Sequence, residues 1–270
     1  MALEKVVTDK FLLPSWTYFL PLPFFGLFLI EYHFGFDQTW FLWINHHAQV
    51  LPDQFWTSLS LFGNGWSAFG IALPLLLFAR KALYAAVISG AFTGVLSHFA
   101  KKVAQTDRPA GVLDQNLFHI IDHPLLHSAM PSGHTMTVFA IATAIFFSLS
   151  ASHKKAWLVI FVIACGTGIS RIATGAHWPQ DVLVGAGLGM YSGLLAAYYA
   201  SFIPEHLLQW TAWPVKCIFL GSLISWYFLL VDTLDFEQNR PIQLIIAAWM
   251  LLTWIRALFL IQKLNKPNHV

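Results

Sequence analysis

Eight stretches of about 20 predominantly apolar residues, each long enough to cross the hydrocarbon core of a bilayer, leave this chain little choice of fold. They fall at residues 12–31, 57–79, 82–101, 134–151, 156–174, 181–202, 213–231 and 242–262. Only 10% of the chain is charged and 57% is apolar, whereas a soluble domain is roughly one quarter charged. Twelve Trp residues, many beside polar segments, suit rings that sit at headgroup level. The expected architecture is therefore an all-α, polytopic membrane helical bundle. A net charge of +2 says nothing about nucleic acid, and the chain has no basic run to track a phosphate backbone, so no nucleic-acid partner is expected.

Details of the spans follow from their breakers. Pro14, Pro21 and Pro23 predict a kinked first span. Gly63-Asn64-Gly65 predicts that the second begins as a short surface helix that breaks and then enters the bilayer. Between them, residues 37–49 read as a helix with Trp40, Phe41, Ile44 and Ala48 on one face and Asn45, His46 and Gln49 elsewhere. That pattern fits a helix lying in the interface or an ordinary connector. Lys5 and Lys10 precede the first apolar stretch with no small-residue cleavage site after it, so an uncleaved span is expected. Cys165 and Cys217 read as small apolar packing residues. No Asn-x-Ser/Thr sequon occurs, which points toward a bacterial protein.

Eight spans put both termini on one side. Outside the polar motifs, that side receives nine Lys and Arg residues and the other side two, Lys102 and Arg240. The termini are therefore expected in the cytoplasm of a plasma (inner) membrane protein. The opposite, outward face then receives all three polar interruptions of the apolar chain.

The first interruption is Lys101 with Arg108-Pro109, the second Pro131-Ser132-Gly133-His134, and the third Ser170-Arg171 with His177 and Asp181. Charged groups at membrane depth are costly and mark function. His177 and Asp181, four residues apart with Pro179 suited to a first helical turn, share one helix face. A carboxylate there accepts the Nδ1 proton and leaves Nε2 as a nucleophile. Ser132 and Gly133 open a helix whose N–H groups suit an anion, with His134 in the first turn. Lys101, Arg108 and Arg171 supply the fixed positive charge that a phosphoryl transition state needs. Taken alone, each motif also fits a capped helix start or a lysine snorkelling to the headgroups.

Together, in this order and spacing, the three motifs resemble the signature of the type-2 phosphatidic-acid phosphatase superfamily. That group includes lipid phosphate phosphatases, bacterial phosphatidylglycerophosphatase B, undecaprenyl-pyrophosphate phosphatases and lipid A phosphatases. The resemblance covers spans one to six, residues 12–202, and implies a six-span phosphatase core within residues 1–202; the two additional C-terminal transmembrane helices, residues 203–270, lie outside it. It implies His177 as nucleophile forming a phosphohistidine, Asp181 orienting it, and His134 protonating the leaving oxygen. Lys101, Arg108, Ser132, Gly133 and Arg171 would hold the phosphate. No metal and no other cofactor is implied.

The expected substrate is a phospholipid or isoprenoid phosphate drawn from the bilayer, with an isoprenoid diphosphate or phosphatidylglycerophosphate favoured. Two other readings stay open: a phosphotransferase that passes the group to another lipid such as lipid A, and a non-catalytic lipid-binding or transport protein. His119, His123 and His127 are spaced like metal ligands but read as a solvated loop over the pocket. Asp232, Asp235 and Glu237, in the outer loop between the last two spans, suggest nothing specific.

Overall fold

The structure is a computed structural model that describes residues 13–149 and 158–264. Five of the nine cations counted on the cytoplasmic side, Lys5, Lys10, Lys154, Lys155 and Lys266, lie outside the described residues. Ten helices organise the rest: α1 (Leu22–Phe34), α2 (Asp37–Ala48), α3 (Asp53–Ser60), α4 (Gly65–Ala72), α5 (Arg80–Ala104), α6 (Gly133–Ser148), α7 (Val159–Ala173), α8 (Pro179–Ser201), α9 (Trp213–Val231) and α10 (Arg240–Leu264). Single turns at Leu75–Phe78 and Pro109–Val112 complete the second span and the first motif. The described residues form no strand.

Local chemistry accounts for the breaks. A 3-10 turn at Ser15–Phe19 precedes α1, which takes Pro23 near its start and stops at Gly35 with φ 68°. The chain then turns by 110° into α2. The second stretch bends by 76° at Gly63-Asn64, where the Asn64 side chain accepts the Trp66 N–H, 3.1 Å away, and caps α4. A Cβ on Gly63 would lie 2.7 Å from that of His134, so this break is also where two segments touch.

Helices α5 (Arg80–Ala104) and α8 (Pro179–Ser201), with the segments Glu205–Val231 and Glu237–Leu264, are long and apolar enough to span a membrane, and the two bent pairs raise the number to as many as six. Helices α6 and α7 are shorter and apolar. The protein is a multi-pass membrane protein built of helices. Large apolar side chains such as Leu220, Leu223, Ile245 and Leu252 face outward from α9 and α10, as a bilayer solvent requires.

At the centre, α8 packs along α6, and both pack on α5. Helix α1 covers α8, while α7 rests on α6 and α3. Helices α9 and α10 dock onto α4, and one apolar core runs through Leu61, Leu73, Leu83, Val215, Leu229 and Met250. The last two helices thus share a core with the segment that precedes α5.

Two expectations are corrected. Asn45 does not face away from the buried side of α2: it is fully buried with Phe41 and Ala48. Cys165 and Cys217 are free and exposed on outer helix faces, because the interior positions beside them are taken by Ala164 and Ile218.

Candidate active site

Antiparallel helices place one end of each motif at the same end of the bundle. Lys101 lies in the last turn of α5, Gly133 and His134 in the first of α6, Arg171 in the last of α7, and Asp181 in the first of α8. Loops join them. The Ser132 N–H donates to the Asp181 carbonyl at 3.0 Å, tying the second motif to the third. The Trp178 indole N–H donates to the Asp107 carbonyl at 2.9 Å, tying the third to the first. A cis peptide bond joins Met130 to Pro131 ahead of Ser132.

His177 sits in the α7–α8 loop, 2% exposed, and its Nδ1–H donates to Asp181 Oδ2 at 3.2 Å. The same oxygen accepts the Trp178 N–H at 2.9 Å, so Asp181 is oriented as it orients the ring. On the other side, Arg108 Nη1 donates to His177 Nε2 across 3.4 Å and to the Ala176 carbonyl at 3.0 Å. Both contacts select one tautomer, with the proton on Nδ1 and a lone pair on Nε2. Burial lowers the pKa of His177 well below its ordinary value, and the charges of Arg108, Arg171 and Lys101 lower it further. The ring is neutral at physiological pH.

The cations are held from behind. Arg108 Nε donates to the His127 carbonyl at 2.9 Å, and Lys101 Nζ donates to the Ser128 carbonyl. Arg171, 4% exposed, donates from Nη1 to Ser60 Oγ, while its Nε has no hydrogen-bond partner among the described residues. Ser132 occupies the N-cap of α6 but makes no side-chain cap bond, and its buried hydroxyl accepts from Thr135 Oγ1 at 3.0 Å. A Cβ on Gly133 would meet only Ser97 Oγ, 3.5 Å away, so this backbone is open to a neighbour.

Four residues at this end escaped the sequence reading. Asp235, from the loop between α9 and α10, accepts from His134 Nε2 at 2.9 Å and from Asn64 Nδ2 at 3.0 Å, both at Oδ2. Burial alone would raise its pKa, but His134, Arg171 and Asn64 outweigh it and bring the carboxyl down to about 2. Ser60 braces Arg171. Asn45 donates to the carbonyls of His119, Ile172 and Ala173 and accepts the His119 N–H, clamping the end of α7 to the loop above it. No local spacing announces these contacts, since each joins residues far apart in the chain.

The histidine-rich loop before α6 is dispersed. His119 pairs with Asp53 at 2.8 Å, His127 with Asp107 at 2.6 Å, and His123 with the adjacent Asp122. Among the described residues, no group of three or more His, Cys, Asp or Glu is placed to hold a metal ion.

The segment that holds these motifs also carries the relationships. A lipid A 1-phosphatase of Porphyromonas gingivalis is 40% identical over 28% of this chain, which spans only 17% of that longer protein. Undecaprenyl-diphosphatase BcrC of Bacillus subtilis is 31% identical, over 56% of this chain and 76% of that one. The crystal structure of LpxE from Aquifex aeolicus superposes with a TM-score of 0.53 at 29% identity, covering 59% of this chain and 93% of that one. Residues 78–204, from the start of α5 to the end of α8, match the PAP2 superfamily, and it is to this superfamily that the chain belongs.

Proposed function

We propose that this protein is a metal-independent lipid phosphatase working through a phosphohistidine at His177. The observation that carries this reading is the geometry at His177: Nδ1 lies 3.2 Å from Asp181 Oδ2 while Arg108 Nη1 stands 3.4 Å from Nε2, a pairing that suits a ring protonated on Nδ1 with its lone pair on Nε2. A site built only to bind an anion has no use for a desolvated, oriented nucleophile.

In the proposed reaction, Nε2 of His177 attacks phosphorus and the bond to the leaving oxygen breaks. His134 gives that oxygen a proton, and Asp181 stabilises the imidazolium forming on His177. Water then attacks phosphorus, His134 takes a proton from it, the P–N bond breaks and inorganic phosphate departs. Lys101, Arg108 and Arg171, with Ser132 and the Gly133 backbone, hold the phosphoryl oxygens throughout. The Nε of buried Arg171, without a hydrogen-bond partner among the described residues, supports its share of that task.

The substrate is a lipid phosphomonoester or diphosphate, with an isoprenoid diphosphate or phosphatidylglycerophosphate foremost. Relatives bearing the names undecaprenyl-diphosphatase and lipid A 1-phosphatase support this class. An apolar groove of about 970 Å³ runs between α4, α5 and α9, past Trp66, Val87, Ala91, Thr137 and Gly221. It passes one turn from His134 and suits the apolar chain of a lipid entering sideways from the bilayer. The chain makes eight passes in this reading: a six-span core through residue 202 and two further spans. Both termini lie in the cytoplasm and the site faces outward from a bacterial inner membrane.

The test is phosphate release by detergent-purified protein in EDTA. The substrates are undecaprenyl diphosphate, phosphatidylglycerophosphate, phosphatidic acid and lipid A, with His177→Ala alongside. Release from at least one lipid, lost in the variant, is expected. Normal turnover by His177→Ala overturns the assignment, and release that depends on an acceptor lipid identifies a phosphotransferase instead.

A further inference from the structure

The matched family segment ends at residue 204, yet one carboxylate at the site comes from beyond it. We propose that Asp235, on the loop between the two C-terminal helices, is the positioning residue for His134, the leaving-group acid, so that this enzyme works with two His–Asp pairs. The proposal rests on the phosphatase reading above and assigns the C-terminal helices a part in it.

Geometry supports a fixed contact. Asp235 Oδ2 lies 2.9 Å from His134 Nε2, and the two side chains are 21% and 22% exposed. Among the described residues, His134 is the only cation-forming group in ion-pair contact with Asp235. Among the described residues, Arg171 and Arg108 also act on His134, and both are positive. Asp235 is therefore the group available to balance an imidazolium there. Asn64, which caps α4, donates to the same oxygen at 3.0 Å and adds a second hold on the carboxylate.

The loop itself is over-determined. Asp235 adopts φ 64°, a left-handed backbone that Asp tolerates better than most residues. Leu234 and Phe236 on either side are buried, and Asn239 Nδ2 donates to the Leu234 carbonyl at 3.2 Å. Gln243 donates to the Asp232 carbonyl at 2.8 Å, and Arg240 to those of Leu229, Leu230 and Asp232. This is the construction of a rigid support rather than of a moving flap.

The chemistry follows from which nitrogen is engaged. With Nε2–H committed to Asp235, the transferable proton of the His134 imidazolium is on Nδ1. As the P–O bond breaks, its electron pair stays on oxygen and takes the Nδ1 proton. The ring returns neutral, still held through Nε2, and accepts a proton from water at Nδ1 in the hydrolytic step. Asp235 stays ionised and touches no reacting atom.

The experiment compares kcat/KM on an alkyl phosphate lipid and on 4-nitrophenyl phosphate, whose leaving group departs with little help from an acid. Parent, Asp235→Asn, Asp235→Glu, His134→Ala and the Asp235→Asn/His134→Ala double variant are measured, with thermal unfolding as the control for folding. Asp235→Asn is expected to lower kcat/KM on the alkyl substrate roughly 10- to 100-fold and on the aryl substrate by clearly less. Asp235→Glu is expected to recover part of the loss. In the His134→Ala background, Asp235→Asn is expected to change kcat/KM less than about twofold, because the two act as one unit. Equal losses on both substrates, or losses that simply multiply in the double variant, overturn the role of Asp235 in an active enzyme. A well-folded parent that releases no phosphate from any substrate overturns the phosphatase reading beneath it as well.

Discussion

Arg108 Nη1 stands 3.4 Å from His177 Nε2, a cation against the ring nitrogen that Asp181 leaves free. The contact joins a loop after α5 to a loop before α8, 69 residues apart. Burial first, and then Arg108 with the other cations, keeps His177 neutral well below its ordinary titration range. Replacing Arg108 by Gln removes one of those charges, so the pKa of His177 rises. At mildly acidic pH, more of the ring is then protonated and unable to attack. The acid limb of the kcat/KM profile is expected to move to higher pH in Arg108→Gln, with a higher KM from loss of the proposed phosphate contact. A limb that stays in place in a pH titration of both proteins sets the contact aside as an influence on the nucleophile.

Asp181 touches His177 and the Trp178 N–H through one oxygen. An asparagine keeps an oxygen for the Trp178 N–H but lacks the charge that stabilises a cation on His177. Asp181→Asn is therefore expected to lower kcat roughly 100-fold, a smaller loss than in His177→Ala, with little change in unfolding midpoint. Steady-state kinetics beside a thermal melt checks both halves. An equal collapse of midpoint and rate assigns Asp181 to folding alone.

These contrasts bear on what the sequence made legible. Cations and histidines stand out in an apolar chain because their burial there is costly, and helix direction alone brings Lys101, His134, Arg171 and Asp181 to one end. Asp235 carries no local signal, because its meeting with His134 depends on α9 and α10 docking onto α4, an apolar packing with no residue signature. By periodicity Asn45 lies off the apolar face of an interfacial or connecting helix, whereas backbone groups of α7 and of the loop before α6 satisfy it in the interior. Periodicity reports which positions alternate, not which polar side chain will find three carbonyls. The break at Gly63-Asn64 was visible, but not its reason, the passage of His134 against it.

Asn45 offers a direct measure of that hidden polar scaffold. Its amide serves the carbonyls of Ile172 and Ala173, just after Arg171, and both backbone groups of His119. Asn45→Ala removes four hydrogen bonds at once; the Ile172 carbonyl keeps the Gly175 N–H at 3.0 Å, and the loss at the remaining groups costs about 1–3 kcal/mol. A lower unfolding midpoint is expected, together with a reduced kcat because the end of α7 that bears Arg171 is no longer clamped. A midpoint equal to the parent's in the same detergent counts against the clamp.

The seam between α6 and α8 makes the last prediction. Gly185, Gly189 and Gly193 recur every four residues along α8, and a Cβ on each would press on the carbonyl of Ser132, Met136 or Ala140 respectively. Backbone cannot yield as a flexible side chain does, so Gly189→Ala is expected to destabilise by about 1–3 kcal/mol. Gly221, on α9, is the control: a Cβ there meets only the Phe69 ring at 3.5 Å, an ordinary contact. Gly185→Ala differs from both, because the atom it displaces belongs to Ser132, whose N–H holds the Asp181 carbonyl. Its expected signature is a loss of activity larger than its loss of stability, measured as kcat/KM against unfolding midpoint across the three variants. Should Gly185→Ala lose both in the same proportion as Gly189→Ala, the seam holds the bundle together without setting the spacing of the second and third motifs.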